Sequence, residues 1–241
     1  MAYTHVETVH NSGNSAAPDA ALSAAPGEDN LIVTYCNING SQTITPDAGG
    51  GASWTLGADV LDPGSQSCRH AMWWKNGNSS EPSTPSITLS GSVEWAMLVW
   101  VFSASASSVV DAAANSHIQS GTSNDLVAGA ADGESIAANA VSIIGAGKDT
   151  RRSGSQAYTT ADNSYTNVQG NVQQMKTAGA SRIYTGATTF SGDITIETAD
   201  SNDDGPADHT YSIHMSFVES GGGGGIVVPV AWLHYRQIKA A

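Results

Sequence analysis

Apolar and polar positions alternate in short runs along most of the chain, and clusters of Gly, Pro, Asn, Asp and Ser bound the runs. That period of two and that punctuation predict β-strands. The clearest expected strands are residues 3–10, 31–38, 54–61, 69–75, 86–89 and 94–103, then 140–145, 182–190, 193–198 and 210–218. In the last of these, Tyr211, Ile213, Met215 and Phe217 share one face, while Thr210, His214 and Ser216 share the other. Residues 94–102 are apolar almost throughout, which predicts a central strand covered on both sides. Helical spacing is confined to residues 171–178 and the end of the chain. The expected class is all-β.

The order of motifs repeats. Asn30-Leu-Ile-Val-Thr leads to Cys68-Arg-His-Ala-Met, then to Ser86-Ile-Thr-Leu and a long strand ending Phe102-Ser-Ala-Ser. Asn139-Ala-Val-Ser-Ile leads in the same way to Ser181-Arg-Ile-Tyr-Thr, Asp193-Ile-Thr-Ile and Phe217-Val-Glu-Ser. The intervals from Arg69 to Phe102 and from Arg182 to Phe217 nearly agree. This predicts two pseudo-repeated halves, residues 1–115 and 116–220, with no long linker between them. They would form one larger β-sandwich of jelly-roll type or two sandwiches side by side, and the pattern leaves both open. Residues 221–225 are five consecutive glycines, a tether by composition. Beyond them, residues 226–241 read as a docking peptide. Its apolar and aromatic groups are Ile226, Val227, Val228, Val230, Trp232, Leu233, Tyr235 and Ile238, and Arg236 adds a cation.

Composition sharpens this. Only 13% of residues are charged, about half the usual share, and 26 are glycine, which suits short strands with tight turns. A net charge of −13 repels phosphate backbones and anionic lipid, so neither nucleic acid nor a membrane is an expected partner. Such acidity suits a protein kept soluble at high local density. No signal-peptide pattern opens the sequence and no apolar run approaches the ~18–20 residues of a membrane span, which predicts synthesis in a cytoplasm. Cys36 and Cys68 are accordingly expected as buried thiols.

Catalytic signatures of the common hydrolase and metalloprotease types are missing, so no enzymatic activity and no cofactor are expected. Gly145-Ala-Gly147-Lys148-Asp149 is a poor phosphate loop, with Ser142 and Asp149 at the wrong places, and reads as a β-turn. Asp200, Asn202, Asp204 and Asp208 match the start of a calcium loop, but Tyr211 stands where the bidentate glutamate belongs. A solvated hairpin loop is the expectation there and bound calcium the alternative. Trp73 and Trp74 must point to opposite faces of one strand, one towards the core. Core packing or an intersubunit contact is expected of the tryptophans before a sugar platform.

Asn30-Leu-Ile-Val, Thr45-Pro46, Trp54-Thr-Leu56, Trp73-Trp-Lys75, Glu81-Pro82, Ser86-Ile-Thr-Leu and the strand from Trp95 to Phe102 form an ordered series. Over residues 1–115 this series resembles a β-sandwich module of tailed-bacteriophage virion proteins, with Ser53 in place of the module's usual glycine before the tryptophan. The resemblance implies a location in the virion, after synthesis in the host cytoplasm, and a structural role as a head-surface decoration or tail-associated protein. Expected partners are other virion proteins and copies of the chain itself, in a homo-oligomer. A receptor- or glycan-binding adhesin of the tail is the alternative.

Overall fold

The computed structural model describes residues 3–61, 68–112, 115–120, 125–129, 135–148, 166–171, 176–189, 193–197 and 209–220. Every helix or strand among them is a strand, so the fold is all-β. The first group comprises β1 (Thr4–Ser15), β2 (Leu31–Asn39), β3 (Ile44–Pro46), β4 (Thr55–Leu61), β5 (Cys68–Asn76), β6 (Ile87–Leu89) and β7 (Val93–Ser103). Five of these make an antiparallel sheet in the order β1-β7-β2-β5-β4, while β3 pairs with β6 in a separate two-stranded sheet.

The second group is β8 (Ser108–Val110), β9 (Asn115–Ser120), β10 (Asp125–Gly129), β11 (Ser135–Ile136), β12 (Val141–Lys148), β13 (Thr166–Asn171), β14 (Lys176–Ile183), β15 (Thr188–Thr189), β16 (Asp193–Glu197) and β17 (His209–Glu219). Its sheet runs β13-β14-β12-β17, with β8 and β9 successively along the far edge of β17. β10 pairs with β16 and β11 with β15. The chain passes between the sheets at residues 104–107, so β8, within the expected first half, is paired in the second sheet.

The two sheets pack face to face in a sandwich-like arrangement. From the first come Leu31, Val33, Tyr35, Met72, Leu98, Trp100 and Phe102, and from the second Val141, Ile143, Ile213, Met215 and Phe217. The alternation expected of residues 211–217 therefore stands. β2 and β7 are buried on both faces, because Ile32, Cys36, Ile38, Met97, Val99 and Val101 enter a second cluster beneath Ile44, Ile87 and Leu89 of the two-stranded sheet. That double burial is why both strands read as continuous apolar runs.

The sheets approach closely where the second carries no side chain. A Cβ on Gly145 would strike the Tyr35 ring, and one on Gly179 would lie 2.7 Å from Trp100 Cη2 and 2.9 Å from Leu98 Cδ1. These contacts correct two expectations. Residues 145–148 are no turn but the last stretch of β12, and residues 176–178, expected to be helical, open β14. Gly145, Ala146 and Gly147 pair with Gly179, Ala178 and Thr177: the small residues serve sheet contact, and tertiary packing overrides alanine's helix propensity. A third correction concerns residues 182–190. The strand there ends at Ile183, since the Tyr184 amide donates to the Ala140 carbonyl (2.8 Å) and its ring joins Ile144, Ala146 and Ala178 in a cluster on the outer face of the second sheet.

Candidate functional site

Five of the seven segments in the phage-like series converge on one corner of the first sheet. Thr45 and Pro46 lie in β3, paired with Thr88 and Ile87 of β6, and the Asp47 carboxylate then accepts from Thr88 Oγ1 at 3.2 Å. Gly49 and Gly50 take left-handed φ angles of 59° and 90°, which turn the chain towards Trp54. The Trp54 indole donates to the Asp47 carbonyl at 2.9 Å. Lys75, on the outward side of β5, places its Nζ 4.3 Å from the centre of the Trp54 ring and 2.5 Å from Glu81 Oε2, with both charged side chains only 1% exposed. Glu81 Oε1 also accepts the amides of Ala52 (2.7 Å) and Asn78 (3.2 Å). A Cβ at Gly51 would lie 2.6 Å from the Glu81 carboxyl carbon, so only glycine lets the loop pass.

The result is a buried clamp that fastens the 47–54 loop and the 76–82 turn to β5. Charges taken this far out of water are tolerable only when paired and hydrogen-bonded, and these are both. With so little of either group exposed, the clamp offers no reagent to a substrate; its chemistry is to hold shape. The tryptophans follow suit. Trp74 tilts against Phe217 of the second sheet at 5.3 Å, Trp73 packs on the cluster beneath Ile44, Ile87 and Leu89, and Trp95 and Trp100 are buried. Trp73 and Trp74 thus face opposite ways as expected, though both are half-buried.

A second polar group lies between the sheets. Tyr35 Oη and His70 Nδ1 are 2.7 Å apart, His70 stacks on Tyr211 at 4.2 Å, and Asn37 Nδ2 donates to Thr177 Oγ1 at 3.2 Å. Burial, then the neighbouring Cys36 and Cys68, drive the Tyr35 phenol well above its ordinary pKa, so it stays protonated. Both cysteines are buried and neither forms a disulfide. Burial likewise raises the Cys36 thiol, which leaves it unreactive.

The arrangement closest to catalytic chemistry is on the outer face of the second sheet, where Ser142 Oγ and His214 Nε2 are 2.7 Å apart. A serine beside a neutral histidine is two-thirds of a hydrolytic triad. Burial pushes His214 down to about 3, so the imidazole is neutral, but both side chains are 0% exposed and Oγ meets no substrate. The carboxylate of Asp111 accepts instead from Ser216 Oγ (3.1 Å) and the Ala137 amide (2.9 Å). This pair was not legible in the sequence, where Ser142 and His214 stand far apart; only the β12–β17 register joins them.

The residues singled out for docking, Ile226, Val227, Val228, Val230, Trp232, Leu233, Tyr235, Arg236 and Ile238, lie outside the described residues. So do Asp200, Asn202, Asp204 and Asp208 of the calcium-like loop. Among the described residues, no group of three or more His, Cys, Asp or Glu side chains could hold a metal ion. What is described is the point from which the tail departs. Glu219 accepts Ser105 N (2.5 Å) and Oγ (2.9 Å), and the Ser220 amide donates to Ser107 O at 2.7 Å. Burial alone would raise the Glu219 carboxyl, but the two Ser105 donors outweigh it and hold it below its ordinary value. Asn76 and Ser108 exchange bonds of 3.0 and 2.6 Å beside this point. The chain is thus pinned where β5 ends. In comparisons with family models, curated proteins and solved structures, the chain matches none.

Proposed function

We propose that this protein is a structural component of a bacteriophage particle, a head-surface decoration or tail-associated protein that acts by protein–protein assembly. The observation that carries the reading is the clamp. Trp54, Lys75 and Glu81, which give the chain its resemblance to phage virion modules, meet in one buried cluster. That convergence supports reading the series as one structural unit that braces a β-sandwich corner, where separate short motifs would have no reason to touch. The all-β body and the −13 charge suit a protein packed at high density on an assembled surface. The same reading takes the two sheets as related halves. The order β1-β7-β2-β5-β4 corresponds strand for strand to β9-β17-β12-β14-β13, which supports a duplication.

The test is antibody labelling of purified particles of the source phage with densitometry of the band. Labelling of heads or tail shafts at tens to hundreds of copies per particle is expected. Absence from washed particles overturns the proposal, and three to twelve copies at a fibre or tip favours the adhesin.

A further inference from the structure

We propose that the outer edge of β4 receives residues 226–228 of a second copy as an added antiparallel strand. This rests on the assembly role above and identifies its partner as the chain itself. β4 is the terminal strand of its sheet and pairs on one side, with β5. No strand among the described residues pairs with its other side, so that side presents a row of backbone donors and acceptors. Its outward face carries Leu56, 47% exposed, and Leu61, 46% exposed. Its single charge, Asp59, is engaged by Arg69 at 2.7 and 2.6 Å. Natural edges are guarded by charge, proline or cover; this one is largely apolar and no described strand covers it, with one bulge between Leu56 and Ala58.

The occupant follows from the chain's own sequence. Ile226, Val227 and Val228 are strong strand formers and Pro229 follows them; a proline that cannot donate is tolerated at the end of an added outer strand. Direction decides which copy supplies them. The tail departs at Ser220, beside Asn76, and Trp74 two residues earlier in β5 is paired with Thr55 at the start of β4. Five glycines reach roughly 17 Å, so a chain's own tail, entering at the Thr55 end, would have to run with β4 in parallel. Every strand pairing described is antiparallel. A copy related by a two-fold axis across this edge delivers its tail from the Leu61 end, antiparallel, in the manner of β-strand addition. The basic residues Arg236 and Lys239 then come to lie over the body of a chain whose net charge is −13, which favours the exchange.

Three full-chain preparations test this. Light scattering on a sizing column should give a dimer for the native chain, and monomers for L56K/L61K and for V227D/V228D, each with an unchanged β-type circular dichroism spectrum. Because Leu56 and Leu61 lie at the surface and residues 227 and 228 follow the last described strand, β17, folding of the variants is itself checked by that spectrum. Mixing L56C with V227C under mild oxidation should yield a disulfide-linked heterodimer. A monomeric native chain, a dimer that survives both double substitutions, or a disulfide that forms only when both cysteines sit in one chain overturns the proposal. A monomer that still labels particles overturns this inference and leaves the proposed function standing.

Discussion

Replacing Lys75 by methionine would remove one half of the buried clamp and leave the Glu81 carboxylate with two amide donors and no cation. The ion pair is 2.5 Å long with both partners 1% exposed, so solvent cannot take the place of the missing charge. Breaking such a pair from one side costs about 3–5 kcal/mol. In a chain of this size that lowers the melting temperature by roughly 6–20 °C, at about 2–4 °C per kcal/mol. K75M/E81Q separates charge from shape. The glutamine oxygen still accepts the Ala52 and Asn78 amides, and no buried charge remains. The double variant should therefore recover about half of the loss or more, although it carries one more substitution. The assay is equilibrium unfolding in urea followed by tryptophan fluorescence, with Trp54 against the clamp as a local reporter. If K75M lies within about 1 kcal/mol of the native chain, a value typical of exposed pairs, or if the double variant is no more stable than K75M, the reasoning is wrong.

Burial depresses His214 from 6.5 to about 3, so between those values the unfolded chain binds a proton that the folded chain does not. This contribution to stability is complete above the unfolded value and declines as pH falls through it, by about 2 kcal/mol between pH 7 and pH 5; H214Q should flatten that part of the urea midpoint profile, and an unchanged profile refutes the assignment. G179A should cost about 1–3 kcal/mol by overpacking, because the new methyl meets Trp100 and Leu98. By contrast G186A, with nothing within 4 Å, should change the thermal midpoint by a degree or two; equal effects of the two would contradict the close approach of the sheets.

The parts of the fold visible in the sequence are those where one residue's neighbours are set by its own strand. Tyr211, Ile213, Met215 and Phe217 declared their shared face by alternation, and β7 declared its double burial by having no polar face to show. What stayed hidden depends on another strand. Gly179 looked neutral because its smallness answers to Trp100 and Leu98, far away in the chain, and Ala178 looked helical although it packs with Ile144 and Ala146 on the other face of the sheet. Lys75 was visible as part of a motif, but its partner Glu81 and its lid Trp54 belong to loops whose paths are set by Gly49, Gly50 and Gly51.

The interface between the sheets carries this furthest. β2 lies over β12 through Tyr35 and Gly145, β7 over β14 through Trp100 and Gly179, and β5 over β17 through Trp74 and Phe217. In the correspondence of strand orders, β2 exchanges with β12, β5 with β14 and β7 with β17, so these crossings are the ones a two-fold axis through β2 and β12 would relate. Symmetry of that kind in a homodimer places each residue against itself at the axis. Here Tyr35 faces a glycine. Two copies of the first sheet would set Tyr35 against Tyr35 with no room for either ring, and two copies of the second would set Gly145 against Gly145 across a void. Overpacking and cavities are both destabilising, so each sheet is shaped for the other and against its own duplicate. The broad apolar faces are thereby matched to each other and not to themselves, and among the described edge strands β4 keeps both Leu56 and Leu61 exposed beside a side that no described strand pairs.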